Sequence, residues 1–473
     1  MVRSLSIFAF TACLAWFCFA LGSGEVVWLP AFSCVLAAWW AGSARHPGRL
    51  WRERPAVCVF LAGLTAYFST FHWHGGDDLP SILLPFAVLR GHTLALDGYL
   101  DWLSGPNAWY VIEVGGRHLS FYPPGAGLMA LPLYVIVWLF KPPVTAVLLR
   151  DLSKVSAALI TAGSAAALWK ALERRCSRRW ALSLCALYGL GSWAFSVSSQ
   201  GLWQHGPAQL ATALGLWALC ETGWRWDALA GLALSAAVAI RPDGVWFAVA
   251  AFAALLLQRR SRLPGFCLGA AVPAVLTAAY WLHYTGRLRP PDMGIQSAMF
   301  GNFQPQAFWA LLASPTRGLL VFFPAALFGA WGTWRARRDA LRPLMLAACA
   351  AQWLMLSFYD GWVGGNTFGT RYFAVTALVL TWLCADVEDE VRRSPRRIKA
   401  WRACLCYCVA LHALGAYLRW PGPPSVAGQK AAAWDWKLYP PVAAVEGLID
   451  TSRRKSYPVR PDEFRARLRV PAP

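Results

Sequence analysis

The chain has 473 residues, of which 57% are hydrophobic and only 14% are charged. Soluble globular domains carry roughly a quarter charged residues, so this composition excludes an ordinary soluble protein and favours one embedded in lipid. The net charge of +20 suggests a nucleic-acid partner, but the arginines cluster in short segments between apolar stretches, as they do in cytoplasmic loops of membrane proteins. We therefore expect membrane lipids and no nucleic acid around the chain.

Apolar stretches of about 17 to 20 residues recur along the sequence, and an α-helix of this length crosses the hydrocarbon core of a bilayer. We predict an all-α, polytopic membrane protein with about 13 transmembrane helices. The predicted spans are residues 4–22, 26–42, 55–73, 151–170, 180–198, 204–222, 227–241, 244–258, 264–284, 318–334, 342–359, 371–387 and 401–419. The first of them is interpreted as an uncleaved signal anchor.

The distribution of arginines gives these spans an orientation, because cytoplasmic loops are enriched in Lys and Arg. The arginines of residues 43–54 place that segment in the cytoplasm, so the third span leads to a large periplasmic loop, residues 74–150. Residues 124–140 of this loop are apolar, but counting them as a span would put the arginine cluster of residues 174–179 outside. We therefore predict that they form a helix lying in the outer interface, together with an amphipathic stretch at residues 85–91.

This topology divides the chain into two parts. Residues 1–419 form a transmembrane domain that includes the periplasmic loop, and residues 420–473 form a C-terminal tail. The count of spans assigns the tail to the periplasm, although its arginines suit the cytoplasm better, so its side of the membrane stays open. The expected location is the inner membrane of a bacterium, with the active site facing the periplasm.

The periplasmic loop opens with two adjacent carboxylates, Asp77 and Asp78, where a spanning helix leaves the bilayer. A partly desolvated carboxylate there suits a general base that acts on a hydroxyl. The alternative is capping of the helix that follows, and local sequence leaves both interpretations open. The pair could hold a divalent cation, but two carboxylates are not a metal site by themselves, and the chain has no HExxH or CxxC spacing. We predict no metal site and no cofactor.

Further candidate residues lie at the predicted outer ends of spans. Tyr122 opens a rigid turn with two prolines. His118 before it is a candidate ligand or acid, but we expect it to have a structural role at the interface. Gln204 and His205 follow Trp203. They either hydrogen-bond a polar headgroup or form an ordinary polar turn, and the sequence does not decide between these alternatives.

Three arginines lie on the predicted outer face against the general trend: Arg241, Arg317 and Arg371. An arginine at the membrane boundary needs an anionic partner. For Arg241 that partner is either Asp243 or a lipid phosphate, which guanidinium groups bind in a bidentate manner. We therefore predict that the three arginines form a phosphate-binding set. The Gly-rich segment before Arg371 and Tyr372 would let the backbone approach the ligand closely.

Six short motifs follow one another at the predicted outer face. They are Gly76-Asp-Asp-Leu-Pro80, Tyr122-Pro-Pro-Gly125, Trp203-Gln-His-Gly-Pro207, Arg241-Pro242, Arg317-Gly-Leu-Leu320 and Gly364-Gly-Asn-Thr-Phe-Gly-Thr-Arg-Tyr372. In this order and with this outer placement, the motifs resemble the GT-C superfamily of membrane glycosyltransferases, in particular its bacterial protein O-mannosyltransferase and aminoarabinose-transferase-like branch. The sequence departs from the family pattern in having an aspartate at position 78 and two additional spans before the first motif.

The resemblance implies an inverting glycosyltransferase that takes a sugar from a polyprenyl-phosphate donor at the periplasmic face. Asp77 would be the general base, with Asp78 second, and the acceptor would be an envelope glycan, lipid or protein. The residues expected to bind substrate on the phosphate side, facing Asp77, are Arg241, Arg317 and Arg371, joined by Tyr122, Gln204, His205 and Tyr372. Two other hypotheses stay open: a lipid or polysaccharide transporter or flippase, and a non-catalytic subunit of an envelope-polymer assembly.

Overall fold

The computed structural model describes most of the chain between Trp28 and Ala443 as helices joined by short connections. The described residues are 16, 28–43, 47–70, 77–103, 110–140, 143–288, 298–365, 367–418, 425–439 and 441–443. Except for Trp16, the predicted span 4–22 lies outside them, and so does the tail from residue 444 onward.

The described α-helices cover most of the predicted spans, with shifted ends. They are α1 (Trp28–Ser43), α2 (Pro47–Glu53), α3 (Pro55–Phe68), α4 (Leu79–Gly91), α5 (Gly125–Trp138), α6 (Ala146–Leu172), α7 (Arg178–Leu190), α8 (His205–Cys220), α9 (Trp224–Ile240), α10 (Val245–Gln258), α11 (Leu263–Thr285), α12 (Pro305–Ala313), α13 (Leu319–Phe322), α14 (Ala326–Arg335), α15 (Leu341–Leu356), α16 (Ala374–Leu383), α17 (Glu388–Arg392), α18 (Pro395–Tyr417) and α19 (Val426–Ala431).

The chain divides into two compact units. The first comprises Met1–Ala166, Ser198–Pro207 and Ser456–Pro473, and the second comprises Ala167–Val197 and Ala208–Lys455. Helices α1 to α5 belong to the first unit, and α6 and α8 each begin in the first unit and end in the second. Both units are mainly helical, as the composition predicts.

A β-hairpin in the first unit is an element that the all-α prediction misses. Strand β1 (Val111–Val114) pairs antiparallel with β2 (Arg117–Ser120), and Val114 faces Arg117 across the turn. The two turn residues, Gly115 and Gly116, have φ angles of 58° and 75°, which suit a two-residue hairpin turn. A Gly-Gly pair after a run of valine and isoleucine is the signal that could have revealed it.

Helix α4 contains the predicted amphipathic stretch at residues 85–91. Pro85, Phe86 and Ala87 are buried, whereas Arg90 and Gly91 at the end of the helix are exposed. The stretch therefore has a buried part and an exposed part, and its place in the outer interface stays a prediction. Residues 124–140 form α5, and their place in the outer interface stays a prediction.

Two described helices are long and apolar enough to cross a membrane, α6 and the helical segment Arg260–Thr285, which includes α11. Several further apolar helices of the described chain are shorter, so the number of spans stays a prediction. The predicted span 318–334 is divided into α13 and α14 around Pro324, because proline lacks the N–H that a continuous helix requires. In the second unit, α9 and α11 pack backbone to backbone at Gly231 and Gly269, where a Cβ would collide with a carbonyl of the facing helix.

Candidate active site

Asp77 and Asp78 lie directly before α4 in the first unit, and both carboxylates accept hydrogen bonds from side chains distant in sequence. Asp77 is partly exposed, and its Oδ1 accepts from Nε1 of Trp203 at 2.8 Å. Asp78 is fully buried, and its Oδ2 accepts from Oγ of Ser153 at 2.7 Å. Asp78 occupies the N-cap position of α4 without making a side-chain capping bond. The capping interpretation is therefore wrong for Asp78.

The donors that hold this pair come from the start of α6 and from the segment 199–203. Ser153 Oγ also accepts from the backbone N–H of Leu202 at 2.9 Å. Lys154, which follows Ser153, donates to the carbonyl of Ser199 at 2.9 Å and to Oε1 of Gln200 at 3.2 Å. Sequence reasoning missed Ser153 and Lys154 because it treated residues 151–170 as a plain span.

Ionisable residues near the beginning of α6 were the available signal. Arg150 and Asp151 form a buried ion pair, with Nε and Oδ1 2.6 Å apart, and Lys154 is only 1% exposed. Charged groups in an otherwise apolar helix are expensive to bury, so their presence usually marks a polar or functional site. The predicted periplasmic loop ends at Arg150, so Asp151 and Lys154 of the same cluster fall within the predicted span 151–170.

Tyr134 of α5 lies close to the carboxylate pair. Its ring packs edge-on against Phe86 of α4, and its hydroxyl is buried without a hydrogen-bond partner among the described residues. Burial raises the pKa of Tyr134 well above its ordinary value, and the charge of Asp78 raises this pKa further. The phenol is therefore a neutral hydroxyl beside Asp78.

The other candidates of the first unit occupy separate positions. His205, 3% exposed, is the first residue of α8, and the amide nitrogen of Gln204 before it is buried without a partner among the described residues. Tyr122 is half-buried, and its backbone N–H donates to Ser120 Oγ at 3.0 Å.

His118 has the structural contacts that the sequence predicts. Its Nδ1 and its backbone N–H both lie 2.8 Å from Oδ1 of Asp97, and this contact ties the hairpin to the 3-10 helix Asp97–Trp102. Burial raises the pKa of Asp97, but the hydrogen bonds and charge of His118 outweigh this effect, and the pKa lies below its ordinary value.

In the second unit, Arg241 has an anionic partner within the protein. Its Nε and Nη2 donate to the two carboxylate oxygens of Asp243 at 2.9 and 2.6 Å. Asp243 Oδ2 also accepts from Nε2 of Gln352 at 2.7 Å. Of the two alternatives for Arg241, the structure therefore contains the bidentate pair with Asp243.

Arg317 is buried and holds the Gly-rich segment. Its guanidinium donates to the carbonyls of Thr367 at 2.9 Å, Gly369 at 2.7 Å and Gly365 at 3.2 Å, and to Oε1 of Gln429 at 3.3 Å. Burial lowers the pKa of Arg317 to about 10, so the group stays charged at neutral pH. Gly364, Gly365 and Gly369 have positive φ angles, and Asn366 lies outside the described residues.

The three arginines predicted as a set belong to one neighbourhood of the second unit. The guanidinium of Arg241 lies over the ring of Tyr372, 5.7 Å from its centre. Arg371 precedes Tyr372 in a short 3-10 helix, and its charge contributes to lowering the pKa of Arg317. The hydroxyl of Tyr372 donates to the carbonyl of Gly361 at 3.2 Å.

The carboxylate pair belongs to the first unit and the arginines to the second, so the expectation that Asp77 faces them stays a prediction. The described residues contain no group of three or more His, Cys, Asp and Glu side chains that could hold a metal ion.

No protein-family model matches the chain, and no curated protein sequence matches it. The solved structure of ArnT from Cupriavidus metallidurans bound to undecaprenyl phosphate is similar, with 14% sequence identity and a TM-score of 0.42 over 88% of this chain and 83% of that chain.

The Archaeoglobus fulgidus oligosaccharyltransferase in complex with zinc and sulfate is also similar, with 14% identity and a TM-score of 0.43. That match covers 86% of this chain and 59% of the oligosaccharyltransferase, so the chain spans less than two thirds of that protein's length.

Proposed function

We propose that the protein is a glycosyltransferase of the bacterial inner membrane that moves a sugar from a polyprenyl-phosphate donor to a cell-envelope acceptor at the periplasmic face. Asp77 acts as the general base and Asp78 assists it. The acceptor hydroxyl loses its proton to Asp77, its oxygen bonds to the anomeric carbon with inversion, and the polyprenyl phosphate leaves with the electron pair of the broken C–O bond.

The observation that carries this proposal is the way in which the carboxylate pair is held. Both aspartates accept hydrogen bonds from neutral donors, the indole of Trp203 and the hydroxyl of Ser153. Such donors orient a carboxylate without neutralising its charge, and an oriented carboxylate is what general-base catalysis requires. Asp77 is the exposed member of the pair, so it is the one that a substrate hydroxyl reaches.

The arginines of the second unit supply the phosphate side in this proposal. Arg371 and Arg241 stabilise the negative charge that develops on the leaving phosphate, the usual role of cations at a departing anion. Arg317, whose guanidinium donates to the carbonyls of the Gly-rich segment, acts by shaping that segment. Gln204, His205, Tyr122 and Tyr372 are proposed to contact the donor or the acceptor.

Transport is the second candidate function, because α6 carries the buried ionisable residues Arg150, Asp151 and Lys154. Such residues occur in the proton and ion pathways of transporters. Here they lie near the beginning of a 27-residue helix, whereas transporter sites lie near the bilayer midplane. The position at one end of the helix favours a site at the membrane surface.

The test is a glycan comparison between a deletion strain, its parent, and the deletion strain complemented with wild type, Asp77→Asn or Asp101→Asn. Asp101 is an exposed aspartate of the same loop, so its substitution is a matched control for the loss of one carboxylate. We expect Asp77→Asn to lower the product by about 10²- to 10⁴-fold, with unchanged amounts of protein in the membrane.

Unchanged product glycan in the Asp77→Asn strain would remove Asp77 from the mechanism. Product formation by the purified protein from a polyprenyl-phosphate-linked sugar separates a catalyst from a non-catalytic subunit. A flux of lipid-linked sugar across reconstituted vesicles, without transfer, would instead make the protein a transporter or flippase.

A further inference from the structure

The hydroxyl of Ser153 joins two parts of the first unit and has a fixed direction. It lies 2.7 Å from Oδ2 of Asp78 and 2.9 Å from the backbone nitrogen of Leu202. A backbone N–H can only donate, so Leu202 donates to Ser153. The single proton of the hydroxyl points to Oδ2 of Asp78, which accepts as a carboxylate.

Trp203 orients the neighbouring carboxylate, that of Asp77, by donating a hydrogen bond to it. An indole N–H is a donor only, so Oδ1 of Asp77, at 2.8 Å, is the acceptor. Because Leu202 and Trp203 are adjacent, one short segment determines the position of both carboxylates. It holds Asp77 directly and Asp78 through Ser153.

Lys154 holds the other end of that segment. Its Nζ is buried and donates to the Ser199 carbonyl and to Oε1 of Gln200. A buried polar group is unfavourable unless it makes hydrogen bonds to partners in the protein. The segment 199–203 is therefore fixed by α6 at both ends, through Lys154 at residues 199 and 200 and through Ser153 at residue 202.

We propose that Ser153 and Lys154 are positioning residues that orient the Asp77–Asp78 pair through the segment 199–203. They do so without contacting substrate. This inference rests on the proposed function only in giving the carboxylate pair a catalytic role. The clamp itself is a property of the first unit, and it is measurable without any substrate.

The experiment compares Ser153→Ala with Ser153→Thr and Ser156→Ala. Ser156 is a matched control because it lies one turn further along α6, is 2% exposed, and has a buried hydroxyl with no hydrogen-bond partner among the described residues. Threonine keeps the hydroxyl at position 153. Two quantities are measured: product glycan in the complemented deletion strain, and amide hydrogen exchange of peptides covering residues 199–203 in lipid nanodiscs.

We expect Ser153→Ala to lower product by about 10- to 100-fold, because a hydrogen bond to a charged group is lost, and to speed exchange at the Leu202 amide. Ser156→Ala should match wild type in both measurements, and Ser153→Thr should restore both. Lys154→Met should speed exchange at residues 199–200, and Lys154→Arg should do so less.

The two proposals fail in different ways. If Ser153→Ala and Ser156→Ala give the same exchange, the clamp is absent and the inference is overturned. If exchange rises but product stays at the parental level, the segment does not position the catalytic pair, and the inference is again overturned while the glycosyltransferase stands. If the deletion strain has the same glycans as its parent, the proposed function fails, and faster exchange in Ser153→Ala still supports the clamp.

Discussion

The carboxylate region of the first unit and the arginine region of the second differ in what satisfies their charges. Asp77 and Asp78 are held by neutral donors, an indole and a hydroxyl. Arg241 is held by the carboxylate of Asp243, and Arg317 by carbonyls of the Gly-rich segment. In the first region neutral donors orient the carboxylates, whereas in the second a carboxylate or several carbonyls bind the guanidinium groups.

The difference matters for how outer-face arginines are interpreted. A bidentate carboxylate competes with phosphate for the same guanidinium edge, so Arg241 must leave Asp243 before it can bind a phosphate through that edge. A buried arginine that donates to several carbonyls stabilises the folded chain, because its removal deletes several hydrogen bonds made by a charged group. We therefore expect substitutions in the carboxylate region to change activity and substitutions in the arginine region to change stability first.

The largest effect on stability is expected for Arg317→Ala. The substitution removes hydrogen bonds from a charged group to three carbonyls and one amide oxygen, and a hydrogen bond to a charged group contributes about 1.5–3 kcal/mol. The carbonyls of Gly365 and Gly369 keep a donor in Thr367. We expect a loss of at least about 3 kcal/mol, measured as a fall in the thermal unfolding midpoint of the purified protein. Arg317→Lys should recover only part of it, because an ammonium lacks the planar fork of donors.

Arg287→Gln is the control for this prediction, since Arg287 is exposed in the same unit. A variant Arg317→Ala that unfolds at the wild-type temperature and binds donor lipid more weakly would reverse the comparison. Arg317 would then be a ligand-binding residue.

A smaller effect is expected for Asp243→Asn. The change removes the charge that faces Arg241 and keeps an oxygen that can accept from Gln352. We expect a loss of about 2 kcal/mol, below the about 3–5 kcal/mol seen when a fully buried pair is broken, because both side chains are 11% exposed. Thermal unfolding of Asp243→Asn, Arg241→Gln and the double variant measures the coupling.

Additive effects in that cycle would show that the pair contributes little to folding. If Asp243→Asn also strengthened donor binding, Asp243 would compete with the phosphate for Arg241. The arginine region would then be a phosphate-binding site that Asp243 blocks in the absence of donor.

The sequence was sufficient to predict a mainly helical protein, because composition and the length of apolar stretches are visible without knowledge of tertiary contacts. It also indicated the Asp77–Asp78 pair and grouped Arg241, Arg317 and Arg371, which the structure places in one neighbourhood of the second unit. These predictions succeed because they require only the identity of the residues and the ends of the apolar stretches, and both are properties of the sequence.

What the sequence could not supply is the partner of each side chain. Asp78 precedes Leu79–Pro80, which is a typical capping position, but its carboxylate instead contacts Ser153, a residue distant in sequence. Arg317 reaches carbonyls of residues 365–369 because the folded chain encloses it there. The burial of Leu79 to Ala87 in α4 also lay beyond the sequence, because hydropathy along a helix does not reveal what packs around it.

The smallest effect that still separates the two regions is expected for Trp203→Phe. Phenylalanine keeps an aromatic ring but removes the N–H that donates to Asp77. Because Asp77 is partly exposed, water replaces the lost donor, and we expect little change in unfolding temperature but about a tenfold fall in product glycan.

Trp353→Phe is the matched control, since its Nε1 donates to the Phe308 carbonyl at 2.9 Å, and it should lower the unfolding temperature without lowering product. If Trp203→Phe behaved as Trp353→Phe does, the indole would stabilise the fold without orienting the base, and the distinction between an orienting and a stabilising region would be lost.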